Sequence, residues 1–197
     1  MGPAMVLARE ARRLNRTVGA PGLPCLYFFT DPARTPDPVA TARRLPRGTV
    51  IVYRHFGAPD RQATARALAR LCKRRGLKLL VAADPALARR VAADGVHWPE
   101  TRARRSHGGG LQTMAVHSSA ALARAAKLGM DAAVLSPVLL SRSASAGTPL
   151  GLFRASRWAR AAKLPVIALG GVNARSARLF KGRGFSGLAC VEGLETA

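Results

Sequence analysis

Short apolar runs alternate with stretches of helical periodicity from Cys25 onward. Eight runs, at 25–30, 49–54, 77–82, 95–98, 112–117, 132–138, 166–170 and 188–191, read as strands. Between them the period changes: within 60–75, Ala65, Leu68, Ala69 and Cys72 recur at i, i+3, i+4 and i+7, the spacing of one helix face. Asp84 followed by Pro85 reads as an N-cap with proline at the first helical position. Ser118 is placed to cap a helix over 120–128, and Gly129 to close it. Strand–helix alternation of this kind implies β-α units around a parallel sheet. Eight strands within 197 residues predict an α/β chain folded as a compact (β/α)8 TIM barrel. A doubly wound sheet is the alternative, because a count of strands does not prove closure.

Two units look thin. The stretch 102–110 is polar, basic and glycine-rich, so its helix is missing or very short. Only six residues follow Val191, which truncates the final helix. Residues 5–15 form an amphipathic pattern that Pro21-Gly22 breaks, and such a helix is placed to cover the gap. The expected organisation is an N-terminal extension, 1–23, and a barrel domain, 24–197. The extension is arginine-rich with a single acid, Glu10, which also fits a transit peptide. It lacks the apolar stretch of a secretory signal, and a structural role or an over-long translation start is the better reading.

The length suits one domain with a real core, and 48% hydrophobic residues argue for a globular chain. No run approaches the ~18 apolar residues of a membrane-spanning helix, so neither a membrane segment nor a membrane partner is expected, and the expected location is the cytoplasm. Cys25, Cys72 and Cys190 are far apart and show no C-x-x-C or Cys/His ligand spacing. Buried thiols fit better than disulfides or zinc.

The net charge of +22 changes the picture of partners, since its field draws anionic metabolites and nucleic acid alike. Only five of the 32 basic residues are lysine. The arginines are scattered, with apolar residues between them, as on a solvated outer surface. A nucleic-acid site concentrates charge on one face with aromatics for stacking. Aromatics make up 5% and do not interleave with the arginines along the chain, so nucleic acid is the less favoured partner.

Several segments, taken in order, carry a more specific message. They are 26–31 (LYFFTD), Asp94-Gly95-Val96-His97, Val116-His117-Ser118, Leu135-Ser136-Pro137-Val138 with Pro149-Leu150-Gly151-Leu152, and 165–173 (PVIALGGVN). In order and spacing this set resembles the thiamine phosphate synthase/TenI family, from about residue 25 to 194. The resemblance implies a (β/α)8 barrel and a transferase that joins hydroxymethylpyrimidine pyrophosphate to a thiazole phosphate with Mg2+, in thiamine biosynthesis. Independently, loops after strands seven and eight of such barrels bind phosphate on backbone N–H groups. Gly170 and Gly171 therefore become phosphate-binding candidates, with the hydroxyls of Ser141 and Ser143. A plain tight turn is the competing reading of the glycines.

Much of the family's polar machinery is replaced. The Asn-Asp after strand three corresponds to Ala82 and Ala83, leaving Asp84 usable only by a one-residue slip. The second Mg2+ carboxylate corresponds to Arg102. The Gln-Arg-Lys set of strand two becomes Val52, Arg54 and Phe56, and the fifth-strand serine becomes Ala115. The Thr-x-Thr-Lys loop becomes Ser141, Arg142, Ser143 and Ala144, and the serine ending strand eight becomes Glu192. The histidine that TenI-type tautomerases use corresponds to Pro137. The Mg2+ implied by the family has thus lost its expected ligands, and no metal site is assigned. Arg54 and His55 are the catalytic candidates, with His117, Arg142 and Glu192 lining the pocket; His97 reads as structural. Expected ligands are small phosphorylated metabolites of thiazole or pyrimidine type. The functional alternatives are a diverged enzyme, a non-catalytic or regulatory phosphometabolite-binding barrel, and a basic RNA-associated protein.

Overall fold

Eight parallel strands close on themselves in sequence order, and the closing pair, β1 and β8, sets Leu26 against Leu188 and Phe28 against Cys190. Closure removes the doubly wound alternative. The computed structural model describes residues 2–20, 22–105, 109–141 and 147–192. The strands are β1 (Leu26–Phe29), β2 (Val50–Tyr53), β3 (Lys78–Ala82), β4 (Gly95–Trp98), β5 (Leu111–Val116), β6 (Ala132–Leu135), β7 (Val166–Ala168) and β8 (Gly187–Cys190). They begin within a residue of the predicted runs.

Successive side chains of a strand point to opposite faces. One set, including Tyr27, Phe29, Val50, Val52, Leu80, Val134 and Ile167, fills the barrel. The other, including Phe28, Ile51, Tyr53, Leu79, Val81, Met114 and Leu135, packs under the helices. Both faces are covered, so the strands are nearly continuous apolar runs instead of alternating ones.

The outer layer is α1 (Pro3–Thr17), α2 (Pro38–Ala42), α3 (Arg61–Arg75), α4 (Pro85–Arg90), α5 (Ser119–Lys127) and α6 (Leu152–Ala161). Two units carry only short 3-10 turns, Glu100–Arg102 after β4 and Ala177–Phe180 after β7. The first agrees with the thin unit expected there. The second stands where a full α-helix would follow β7.

Helix α1 covers the seam of the barrel. Its buried stripe of Ala4, Leu7, Ala8, Ala11 and Leu14 packs against β8, β1 and the 177–180 turn, on the flank where a helix after β8 would lie. Asn15 Nδ2 donates to the carbonyls of Leu23 and Ser186, tying the helix end to the approaches of both closing strands. The three cysteines are free thiols, with Cys72 and Cys190 buried. Burial pushes the Cys190 thiol up to about 12. Among the described residues no helix is long and apolar enough to cross a membrane.

Candidate functional site

The carboxyl ends of the strands open into a cavity of about 600 Å³. Inward positions at and just past the strand ends line it: Phe29 from β1, Arg54 after β2, His97 from β4, Ala115 from β5 and His117 after it. Ser136 and Pro137 after β6, Gly170 after β7 and Val191 after β8 complete the wall. This mouth is where barrels of this architecture keep their chemistry.

Arg54 is held by its neighbours on β1. Its amide donates to Thr30 Oγ1 at 3.0 Å, its Nε donates to the Thr30 carbonyl at 2.8 Å, and Nη2 lies 3.6 Å from Asp31 Oδ2. The guanidinium also sits 5.4 Å from the Phe29 ring centroid. Burial lowers its pKa, and the Asp31 carboxylate opposes that shift. The result is a partly desolvated cation aimed at the cavity.

His97 is the buried floor. Its Nδ1 shares a 2.8 Å hydrogen bond with Thr113 Oγ1, and its ring meets Phe29 edge-on. Burial first, then the positive charge of Arg54, lowers its pKa to about 3, so the ring is neutral. His117 sits higher. Its Nδ1 lies 2.8 Å from the Ser136 carbonyl, which only accepts, so Nδ1 carries a hydrogen. Its amide donates to Glu100 Oε2 at 3.2 Å. These bonds orient the His117 ring at the cavity rim.

His55, the other catalytic candidate, is turned the other way. It follows Arg54, so strand alternation points it outward, where its ring stacks on Tyr53 at 5.1 Å. It does not line the cavity.

A side pocket of about 150 Å³ extends between the ends of β7 and β8. Ser141, Gly170, Gly171, Asn173, Glu192 and Arg34 line it. Asn173 Oδ1 accepts from the amides of Arg175 and Ser176, and the Ser176 hydroxyl donates to the Gly171 carbonyl, fixing the loop. Glu192 is paired with Arg34 at 3.1 Å. The carboxylate therefore faces the pocket beside a cation that sequence reasoning missed. Arg34 belongs to the turn after β1, where Asp31 Oδ1 accepts from the amides of Ala33 and Arg34. The Asp31-Pro32 pair signals that turn, but nothing along the chain says where the Arg34 side chain goes. Arg142, Ser143 and Ala144 lie outside the described residues.

The glycine pair has a structural reason of its own. Gly170 (φ +98°) and Gly171 (φ +65°) are left-handed, and a Cβ at Gly170 would lie 2.8 Å from Pro137 Cα. At Gly171 it would lie 2.5 Å from the Leu140 carbonyl oxygen and 2.7 Å from Leu139 Cβ. The loop after β6 thus packs on this turn, and a side chain at Gly171 disturbs that packing whether or not an anion binds.

At the positions where the family resemblance implies Mg2+ ligands, the chain has Ala83, Asp84 and Arg102. Ala83, at φ 58°, occupies the expected carboxylate position in a conformation that Asn, Asp and Gly take up most readily. Asp84 is committed elsewhere: Oδ1 accepts from the Leu87 amide as the cap of α4, and Oδ2 pairs with Arg61 Nη1 at 2.9 Å. Arg102 is exposed and lines a crevice on the barrel flank. Among the described residues no three His, Cys, Asp or Glu side chains gather into an all-protein metal site.

Comparison with known proteins points one way. The family model described as thiamine monophosphate synthase matches residues 26–194. A thiamine-phosphate synthase of Alcanivorax borkumensis is 33% identical over 182 residues, covering 86% of this chain and 84% of its own. That of Chloroflexus aurantiacus is 29% identical over 184 residues, covering 87% and 85%. Among solved structures, a thiamine phosphate pyrophosphorylase from Pyrococcus furiosus superposes with a TM-score of 0.73 at 25% identity, covering 85% of each chain. With the matched model spanning all eight strands of the closed barrel, the chain belongs to the thiamine monophosphate synthase family.

Proposed function

We propose that this chain serves thiamine biosynthesis in the cytoplasm as a barrel that binds a phosphorylated thiazole- or pyrimidine-type metabolite, with the Mg2+-pyrophosphate half of the family's site degenerate. The observation that carries this reading is Arg54, fixed on Thr30 and Phe29 and aimed into the cavity that Gly170 and Ser141 share with the side pocket. A preorganised arginine grips phosphate through charge-assisted hydrogen bonds. Family membership supplies the substrate class.

Conventional synthesis asks for a divalent cation, which would supply positive charge to stabilise the departing pyrophosphate. Ala83, Arg102 and the committed Asp84 supply no such site, so ordinary Mg2+-dependent turnover is weak or absent. A non-catalytic or regulatory phosphometabolite-binding role is the second reading, and the doubly engaged Asp84 favours it. What remains to the chain's own residues is binding and proton handling: Arg54 holds an anionic group, and the oriented His117 ring hydrogen-bonds a bound ligand through Nε2.

Calorimetry with thiazole phosphate, hydroxymethylpyrimidine pyrophosphate and thiamine phosphate tests this, with excess Mg2+ and again with chelator. Single-turnover product formation is measured alongside. Binding that survives chelator, with pyrophosphate release near background, is expected. Robust turnover that collapses with chelator would overturn the degenerate-site reading, and no binding of any phosphorylated compound would overturn the reading altogether.

A further inference from the structure

The flank of the barrel beside β4 carries a crevice that the family's chemistry does not use. The helix of this unit is reduced to the 3-10 turn Glu100–Arg102, so among the described residues no α-helix of its own follows β4 between α4 and α5. Strand alternation sends His97 into the barrel and Trp98 outward into this gap, where the indole Nε1 donates to Gln112 Oε1 at 2.8 Å. Two connected cavities of about 640 and 380 Å³ result, sharing Pro85, Trp98 and Arg104.

Their rim is cationic. Arg102 and Arg124 line the first cavity, Arg89 and Arg105 the second, and Arg104 both. No Asp or Glu lines either among the described residues. The nearby acid, Glu100, has its carboxylate on the His117 amide, while its carbonyl and that of Ala103 anchor the Arg124 guanidinium. Arginines and an aromatic that stand apart in sequence are thus brought onto one surface.

We propose that this crevice binds single-stranded nucleic acid, with a base against the Trp98 indole and successive phosphates on the flanking arginines. A positively charged groove combined with an aromatic platform is the arrangement single strands use, because every base has a face to stack and every linkage a charge to neutralise. The site is separate from the barrel mouth, so its ligand does not depend on the proposed metabolite.

The test uses the full chain with Trp158 replaced, Trp158→Phe, so that Trp98 is the one tryptophan left of two. A short oligouridylate is titrated while indole fluorescence is followed. Quenching with a Kd that weakens with salt is expected. The slope of log K against log salt is about −0.7 per phosphate engaged, near −2 for about three contacts. The charge-reversed pair Arg102→Glu/Arg104→Glu should weaken binding at least tenfold. It should also make the salt slope shallower by about 1.4, the contribution of about two phosphates. The control pair Arg66→Glu/Arg70→Glu removes the same charge from exposed positions on α3 and should change affinity far less. Circular dichroism verifies that both pairs stay folded. Equal losses from the two pairs would overturn the proposal by making the affinity a property of net charge. Binding without indole quenching, or tighter binding of inorganic polyphosphate than of the oligonucleotide, would overturn the stacking site.

Discussion

Arg54 is gripped through its backbone and its Nε by one residue, Thr30, and lies against the Phe29 ring, so its guanidinium reaches the cavity with little freedom left to lose. Arg54→Ala should weaken binding of phosphate esters by about 1.5–3 kcal/mol, the usual worth of a hydrogen bond to a charged group. Calorimetry reads this directly, and parent-like affinity would show that the anion lies elsewhere. His97 gives a second prediction. Its folded pKa of about 3 lies below the ordinary 6.5, so between those values the unfolded chain holds a proton that the folded one refuses. Stability is therefore full above about pH 6.5 and falls as pH drops from there toward 3, by about 1.4 kcal/mol per pH unit. In urea melts the parent should lose about 2 kcal/mol more than His97→Gln between pH 7 and pH 5. Equal losses would mean that the folded state accepts the proton. The place of Arg54 and His117 at the cavity was legible because each follows a strand on its inward phase, and that of Gly170 and Gly171 because a glycine pair marks the turn after β7. His55 is near that end but on the outward phase, stacked on Tyr53. Arg34 was hidden because its place depends on a turn geometry that brings it across to Glu192.

Helix ends and loop contacts decide matters at the next scale. Asp84 caps α4 and pairs with Arg61, so Asp84→Ala should cost about 1–2 kcal/mol in a urea melt. Ligand affinity should be the same with Mg2+ and with chelator in both proteins. A Mg2+ response lost specifically in Asp84→Ala would make that carboxylate a metal ligand. Gly171 is the wrong place to probe the anion pocket, because even a methyl group there meets the Leu140 carbonyl. Glu192→Ser is cleaner: it removes a carboxylate that faces the pocket, and phosphate-ester affinity should rise, whereas unchanged affinity would separate the side pocket from the phosphate. The strands were legible because their apolar runs are short, uniform and covered on both faces. The short helix α2 and the 3-10 turn at Ala177–Phe180 were not, because one or two turns carry too few residues to show a period. Proximity across the fold was equally invisible, and Trp98 among arginines is the case in point.

Across the whole molecule, the α1 seam binds the ends of the described chain together. Leu7 is fully buried in that seam, and Leu7→Ala should destabilise the barrel by about 2–5 kcal/mol in denaturant melts. A smaller loss would mean that the seam is loosely packed. The same seam has a consequence during protein synthesis. Asn15 and the Ser186 carbonyl it holds are 171 positions apart, so the helix leaves the ribosome long before the strand it must lie against. Throughout that interval the stripe of Leu7, Ala11 and Leu14 has β1 to rest on but lacks β8 and the 177–180 turn. The nascent barrel stays open along one side until its eighth strand emerges, and during that time it is exposed to chaperones and to neighbouring chains.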